Sequence, residues 1–180
     1  MIYLKDYIRC YKNIIDEELC KNIIKEPFSK FEEATIFGKG DGLLDTSYRR
    51  THTKVLGDEF YQDLYNVYDK VIKLYSEEFK DFGTGLTLEN TGFNHLIYRG
   101  VEKGEYKEHV DHADITPRVV SCSVILNDDY DGGDFAFFQG QHVIKKEARS
   151  AIIFPSKFCY PHAITPVTNG DRHIILTWFH

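Results

Sequence analysis

Apolar residues recur at two different periods along this chain, and the period changes near its middle. Leu19, Ile23 and Ile24 share one helical face behind Asp16, whose short carboxylate suits an N-cap, and Pro27 closes the segment. The pattern predicts a helix from Asp16 to about Lys25. Phe60, Leu64, Val67, Val71, Leu74 and Phe79 recur at helical spacing and predict a longer helix from about Asp58 to Lys80, its aromatic side chains serving the core. Between the two, "IFGKGDGLLDTSYRR" follows neither period. Its three glycines within five residues make Gly38–Arg50 either a surface connection or a lid over a site. On this pattern the first half of the chain is mainly helical.

From Thr87 onward the apolar residues alternate, as they do in half-buried strands. Candidate strands are Phe93–Tyr98, Tyr106–His109, Arg118–Leu126, Gly133–Phe138, Gln141–Lys145, Ala151–Phe154, His162–Pro166 and Arg172–Phe179. Turn-forming runs such as "NDDYDGG" and "TNG" separate several of them. Short strands following helices predict an α+β domain: a two-sheet jelly roll of about eight core strands, with N-terminal helices packed on one sheet. The expected division is helical support and lid loop over residues 1–85, and jelly-roll core over 86–180.

Composition supports one folded domain and narrows the partners. The chain has 180 residues, 42% of them hydrophobic, enough for a sizeable core. Lys and Arg number 22 against 28 Asp and Glu, a net charge of −6 with no dense basic patch. That argues against nucleic acid or an anionic membrane as partner, and leaves room for a positively charged substrate. No apolar run approaches a membrane span. The opening "MIYLKDYIRC" carries charge too early for a signal-peptide core, so the cytoplasm is the expected location. Cys10, Cys20, Cys122 and Cys159 show no paired spacing and are expected as reduced thiols. A monomer or homodimer is expected.

Candidate chemistry begins at "EHVDHAD", which holds two His-x-Asp triplets, His109–Asp111 and His112–Asp114. Residues i and i+2 of a strand face the same side, so either triplet could aim an imidazole and a carboxylate at one ion. The first ends a plausible strand, whereas the second runs into a loop containing Pro117, and a strand end holds geometry better. The pattern therefore favours His109 and Asp111, with His112 and Asp114 as entrance residues. Taken singly, such a pair is more often a surface ion pair than a metal site. His162 opens a later strand, and Arg172 follows ten positions on. Two histidines and one carboxylate on one face of an ion form the set suited to non-haem Fe(II), and a planar guanidinium suits a carboxylate.

The segments "YRGVEKGEYKEHVD", "LNDDYDGGDF" and "PHAITPVTNGDRHIILTW" resemble the Fe(II)/2-oxoglutarate dioxygenases of the prolyl 4-hydroxylase group, over roughly residues 93–180. The resemblance implies a double-stranded β-helix. It implies Fe(II), 2-oxoglutarate and O₂ as cofactors, with ascorbate as an optional accessory. His109, Asp111 and His162 would be the iron ligands, and Arg172 would bind the distal carboxylate of 2-oxoglutarate with help from Tyr98. Arg118 and Trp178 resemble the residues that frame a substrate proline. Where oxygen-sensing relatives carry a second tyrosine, this chain has Ile125; Ser123 or a water could substitute. Tyr106 fits a structural role on the same strand as His109, and "DGGD" reads as a turn.

The function so implied is hydroxylation of a prolyl residue at C4 in a peptide or protein, yielding succinate and CO₂. The nearest rival is the same chemistry on a free amino acid, a lysyl residue or a small metabolite. A further rival is a non-catalytic jelly-roll binding module, or a structural zinc protein using the same three ligands. Nucleic-acid demethylases carry a second arginine six residues after the first, where this chain has Trp178, and halogenases lack the carboxylate that Asp111 supplies.

Overall fold

A computed structural model describes residues 1, 3–36, 42–82, 89–112 and 117–180. The N-terminal half contributes β1 (Arg9–Tyr11), α1 (Glu17–Ile24), β2 (Glu32–Glu33), β3 (Arg49–Arg50), β4 (His52–Val55) and α2 (Asp58–Glu78). After it come β5 (Asn94–Arg99), β6 (Glu105–His109), β7 (Val120–Ile125), β8 (Asp131–Gly132) and β9 (Phe135–Phe137). The chain closes with β10 (His142–Ile144), β11 (Ala151–Pro155), β12 (His162–Ile164), β13 (Val167–Asn169) and β14 (Asp171–Phe179). Seven strands form a larger sheet in the order β1-β11-β7-β14-β5-β4-β2, and five form a smaller one, β10-β9-β12-β6-β3. β8 and β13 pair as a separate ribbon. This is the predicted jelly roll.

Both helices form where the apolar period places them. The Asp16 carboxylate accepts a hydrogen bond from the Glu18 N–H at 2.8 Å, meeting one of the donors that a helix start leaves open. α2 carries Asp58 and Glu59 in its first turn, at the positive end of the helix dipole. It buries Leu64, Val67, Tyr68, Val71 and Tyr75 along one stripe. That stripe meets Val120, Cys122, Val124, Ala151, Ile153 and Ile175 on the outer face of the larger sheet, together with Ile23 of α1. The Tyr68 hydroxyl, buried with it, donates to the carbonyl of Ile175 at 2.7 Å.

The inner face of the same sheet packs against the smaller one. Leu96, Tyr98, Ile125, Ile152, Phe154 and Ile174 meet Phe135, Phe137 and Ile164 there. Alternation along each strand divides the two cores. On β7, Cys122 and Val124 go to the helices, while Ser121, Ser123 and Ile125 turn inward, as strand alternation requires.

All eight predicted strands are present, with ends moved by no more than two residues. The first half carries both expected helices and, in addition, four short strands that the pattern does not show. β1 and the β2–β4 pair extend opposite edges of the larger sheet, and β3 extends the smaller. These strands are two to four residues long and include "EE", "RR" and "HTKV". Charged, very short strands are what sheet edges tolerate, and they carry too few positions to show a period. Part of the expected Gly38–Arg50 loop is therefore strand; residues 37–41 lie outside the described residues. The four cysteines are free thiols. Among the described residues no helix is long and apolar enough to cross a membrane.

Candidate active site

β6 and β12 are antiparallel neighbours, and their register places His162 directly opposite His109. Asp111 lies two residues past the end of β6 and is buried. His109 Nε2 is 3.5 Å from Asp111 Oδ1, and His162 Nε2 is 3.7 Å from Asp111 Oδ2. The three ligand atoms lie within 4.8 Å of one another, and this is the group of His, Cys, Asp or Glu among the described residues that could hold a metal ion.

The chemistry of the donor set fits such an ion. His109 Nδ1 is 2.8 Å from the Lys107 carbonyl, and His162 Nδ1 is 3.2 Å from the Tyr160 carbonyl. A carbonyl only accepts, so each Nδ1 carries the proton and each Nε2 presents a lone pair to the shared space. Burial, reinforced by the neighbouring His109, pulls the pKa of His162 down to about 4, so it is neutral at physiological pH. Burial works to raise the pKa of Asp111, but the two imidazoles and a 2.6 Å hydrogen bond from Ser121 Oγ outweigh it and keep the carboxylate ionised. Ser156 Oγ lies 2.8 Å from Ser121 Oγ and continues that buried network.

The triad opens on a cavity of about 420 Å³, within the usual range for small-molecule sites. Tyr98, Ser123, Arg118 and Trp178 line it with the three ligands. The Tyr106 ring lies flat on His109, centroids 3.5 Å apart, so the support role read for it has a contact behind it. Arg118 stacks on Trp178 at 3.6 Å and donates to the Asp111 carbonyl at 2.9 Å. Of the second triplet, His112 turns to the backbone of Arg118 and to Lys157, and Asp114 lies outside the described residues.

Arg172 stands directly opposite Tyr98 in the β14–β5 register. Its guanidinium is sealed between the rings of Tyr98 and Phe135, at 4.9 and 5.1 Å, and the residue has no exposed surface. None of its three side-chain nitrogens meets an acceptor in full hydrogen-bond geometry, although the Tyr130 hydroxyl lies beside the guanidinium and interacts with it. A buried cation with unmet donors is costly unless a ligand supplies acceptors. Arg172 lies just behind the cavity wall formed by Tyr98 and Phe135, so a carboxylate reaching it needs those rings to shift.

Five contributors escaped the sequence reading. Ser121 shares the inner face with Ser123, so strand phase could have found it. Ser156 carries no motif signal. Tyr130 is buried beside Arg172: burial raises the pKa of its hydroxyl and the guanidinium partly lowers it. Gly133 has φ +67°, and a Cβ there would stand 2.9 Å from Arg172 Cδ, so the second glycine of "DGGD" makes room for the arginine stem. Arg49 also reaches the cavity, from β3.

Comparison with known proteins agrees with this geometry. Residues 93–180 match the family model of the 2OG-Fe(II) oxygenase superfamily. A PKHD-type hydroxylase of Colwellia psychrerythraea is 32% identical over 104 residues, covering 53% of this chain and 46% of that protein. The chain thus spans under half the length of this curated relative. Two solved structures share the fold over nearly the whole chain. A Pseudomonas putida prolyl-4-hydroxylase superposes with a TM-score of 0.72 at 19% identity, covering 97% of this chain and 92% of the other. A Trichoplax adhaerens prolyl hydroxylase, in complex with a hypoxia inducible factor oxygen degradation domain peptide fragment, gives 0.73 at 16% identity, covering 96% and 83%.

Proposed function

We propose that this chain, whose residues 93–180 are a 2OG-Fe(II) oxygenase domain of prolyl hydroxylase-like type, hydroxylates a prolyl residue at C4 in a peptide or protein. The observation that carries the oxygenase reading is the pairing of the His109–Asp111–His162 set with a buried Arg172, its donors unmet by any carboxylate among the described residues, behind the same cavity. A structural metal site needs the first and has no use for the second.

His109, Asp111 and His162 would hold Fe(II) through two neutral imidazoles and one carboxylate. Arg172 would take the distal carboxylate of 2-oxoglutarate, with Tyr98 packed on the guanidinium and Ser123 on the neighbouring wall. When bound, Fe(II) and 2-oxoglutarate supply the activation of O₂, with 2-oxoglutarate leaving as succinate and CO₂. The chain itself positions and excludes. Ser121 fixes the Asp111 carboxylate, and Tyr106 holds the His109 ring in plane. Trp178, with Arg118 stacked on it, offers a flat wall for a proline ring, and Arg118 a donor for the adjoining peptide carbonyl. Phe135, Phe154 and Leu176 add apolar lining beside these polar groups.

The test is anaerobic addition of Fe(II) and 2-oxoglutarate to the wild type and to His162→Ala, following the visible absorption of the metal–cosubstrate chelate. A band in the wild type alone supports the site; no band with iron bound rejects the cosubstrate assignment. Mass spectrometry of proline peptides, free amino acids and lysine peptides after turnover then reads the substrate. Addition of one oxygen atom to a prolyl residue is expected, and addition confined to another class would overturn the prolyl assignment.

A further inference from the structure

The chain is acidic overall, yet the only carboxylate among the described residues lining the cavity is the candidate metal ligand Asp111. Opposing it at the wall is Arg49, which the oxygenase reading does not use. Its Nη1 donates to the Thr35 carbonyl at 2.8 Å, which fixes the fork. Its guanidinium lies over the Tyr106 ring at 4.6 Å, and that ring lies on His109. Its Nε is buried without a hydrogen-bond partner, and among the described residues no carboxylate pairs with it. Whatever meets this arginine is separated from the metal ligand by one aromatic ring.

Charge balance points the same way. Bound Fe(II) and dianionic 2-oxoglutarate cancel, and Asp111 offsets one of the three arginines Arg49, Arg118 and Arg172, so among the described residues the site keeps a net positive charge. A positively charged substrate, which the net charge of the whole chain alone leaves room for, would meet that positive charge at the mouth.

We propose that Arg49 determines specificity by binding a carboxylate on the peptide substrate, close to the hydroxylated residue. The inference rests on the peptide-hydroxylase reading above. The carboxylate can come from an Asp or Glu side chain or from the peptide C-terminus, and the planar fork serves both.

Trp178 is the single tryptophan and lines the cavity, so its fluorescence reports peptide binding to the anaerobic Fe(II)–2-oxoglutarate protein without turnover. The panel holds proline peptides with a flanking Glu, Gln or Lys, and a peptide without acidic side chains as free acid and as amide. We expect the Glu peptide to bind more tightly than its Gln counterpart by roughly 10–100-fold, the scale of a charge-assisted hydrogen bond. Arg49→Gln removes that preference, raises KM for the acidic peptide and spares kcat, while Arg49→Glu transfers preference to the Lys peptide. A free-acid preference over the amide assigns the C-terminus as the source; a preference confined to the Glu peptide assigns the side chain. Equal binding of Glu, Gln and free-acid peptides overturns this inference alone. Absence of binding by every peptide, with the metal–cosubstrate band intact, overturns the peptide reading and this inference with it.

Discussion

Replacing Arg172 by methionine should make the cosubstrate-free protein more stable while abolishing its response to 2-oxoglutarate. Methionine keeps an unbranched stem between Tyr98 and Phe135 and removes the guanidinium. The three nitrogens are buried with no acceptor in full hydrogen-bond geometry, and an unmet buried donor costs about 1–3 kcal/mol, so together roughly 6 kcal/mol is relieved. Against this stand the ring contacts at 4.9 and 5.1 Å. Two desolvated cation–π contacts are worth about 3 kcal/mol together. The balance favours the variant by on the order of 3 kcal/mol, or roughly 6–12 °C in Tm for a domain of this size. The wild type gains instead from its ligand: at about 100 times Kd, 2-oxoglutarate contributes about 2.7 kcal/mol, roughly 5–11 °C. Calorimetry of both proteins with Mn(II), with and without 2-oxoglutarate, reads both effects. The order of stabilities should draw level or reverse on adding cosubstrate. A variant that melts below the wild type without 2-oxoglutarate would refute the claim that the guanidinium is unsatisfied there, and a variant that still responds to 2-oxoglutarate would remove Arg172 from its binding.

Three further outcomes follow from contacts around the site and behind it. Ser121→Ala deletes the 2.6 Å hydrogen bond to Asp111 and should weaken Mn(II) or Fe(II) binding by roughly 10–100-fold; unchanged affinity in titration calorimetry would make that bond irrelevant to the ligand. Gly133→Ala forces a side chain into φ +67° and against Arg172 Cδ, a strain of about 1–2 kcal/mol; the Kd for 2-oxoglutarate should rise about tenfold with metal affinity intact, and loss of both would point to misfolding instead. His95 is buried with Nε2 3.0 Å from His173 Nδ1, and burial, then the positive fields of His173 and Lys54, hold its pKa down from 6.5 to about 3. Above pH 6.5 both states are neutral and its contribution is fully present. Below that, the unfolded chain takes a proton the folded one refuses, and stability falls by up to about 1.4 kcal/mol per pH unit. His95→Leu should flatten the urea-unfolding stability profile between about pH 4 and 6 by close to one proton, and an unchanged slope would show that folded His95 protonates there.

Legibility in the sequence followed length and phase. α2 repeats its apolar stripe over five buried positions, and β14 carries a nine-residue segment rich in apolar and β-branched residues, so both are long enough to stand out. The metal set was legible because His-x-Asp on a strand and a histidine opening a later strand need only local geometry to converge; the β6–β12 register supplies the rest. β3 and β4 were not legible. A two-residue edge strand "RR" has no period, and it becomes a strand only because β6 offers it an unpaired edge. Arg49 reaches the cavity through that pairing, a long-range fact with no local trace. Gly133 was read as a turn glycine, which it is, but its second use follows from the proximity of Arg172 and could not be seen from "DGGD" alone.

The site and the helix-packed core are tied together by β14. It is flanked by β7 and β5 inside the larger sheet, so its register is fixed from both sides. Arg172, Ile174, Leu176 and Trp178 turn toward the cavity side, while Ile175 and Phe179 enter the core beneath α2. A slip of one residue would turn Arg172 to the outer face of the sheet and bring Asp171 or His173 to its place opposite Tyr98. The apolar outer residues therefore hold the guanidinium in phase as firmly as any contact it makes. Tyr68 locks the same register from the α2 side through its bond to the Ile175 carbonyl, on the strand that carries Arg172. The helices do not touch the chemistry, but their packing decides which face of β14 the chemistry occupies. By contrast Arg49 is carried on an edge strand of two residues, held by one pairing and by the Thr35 carbonyl. Arg172 is thus held in phase by the interior of the larger sheet, and Arg49 by the edge of the smaller one.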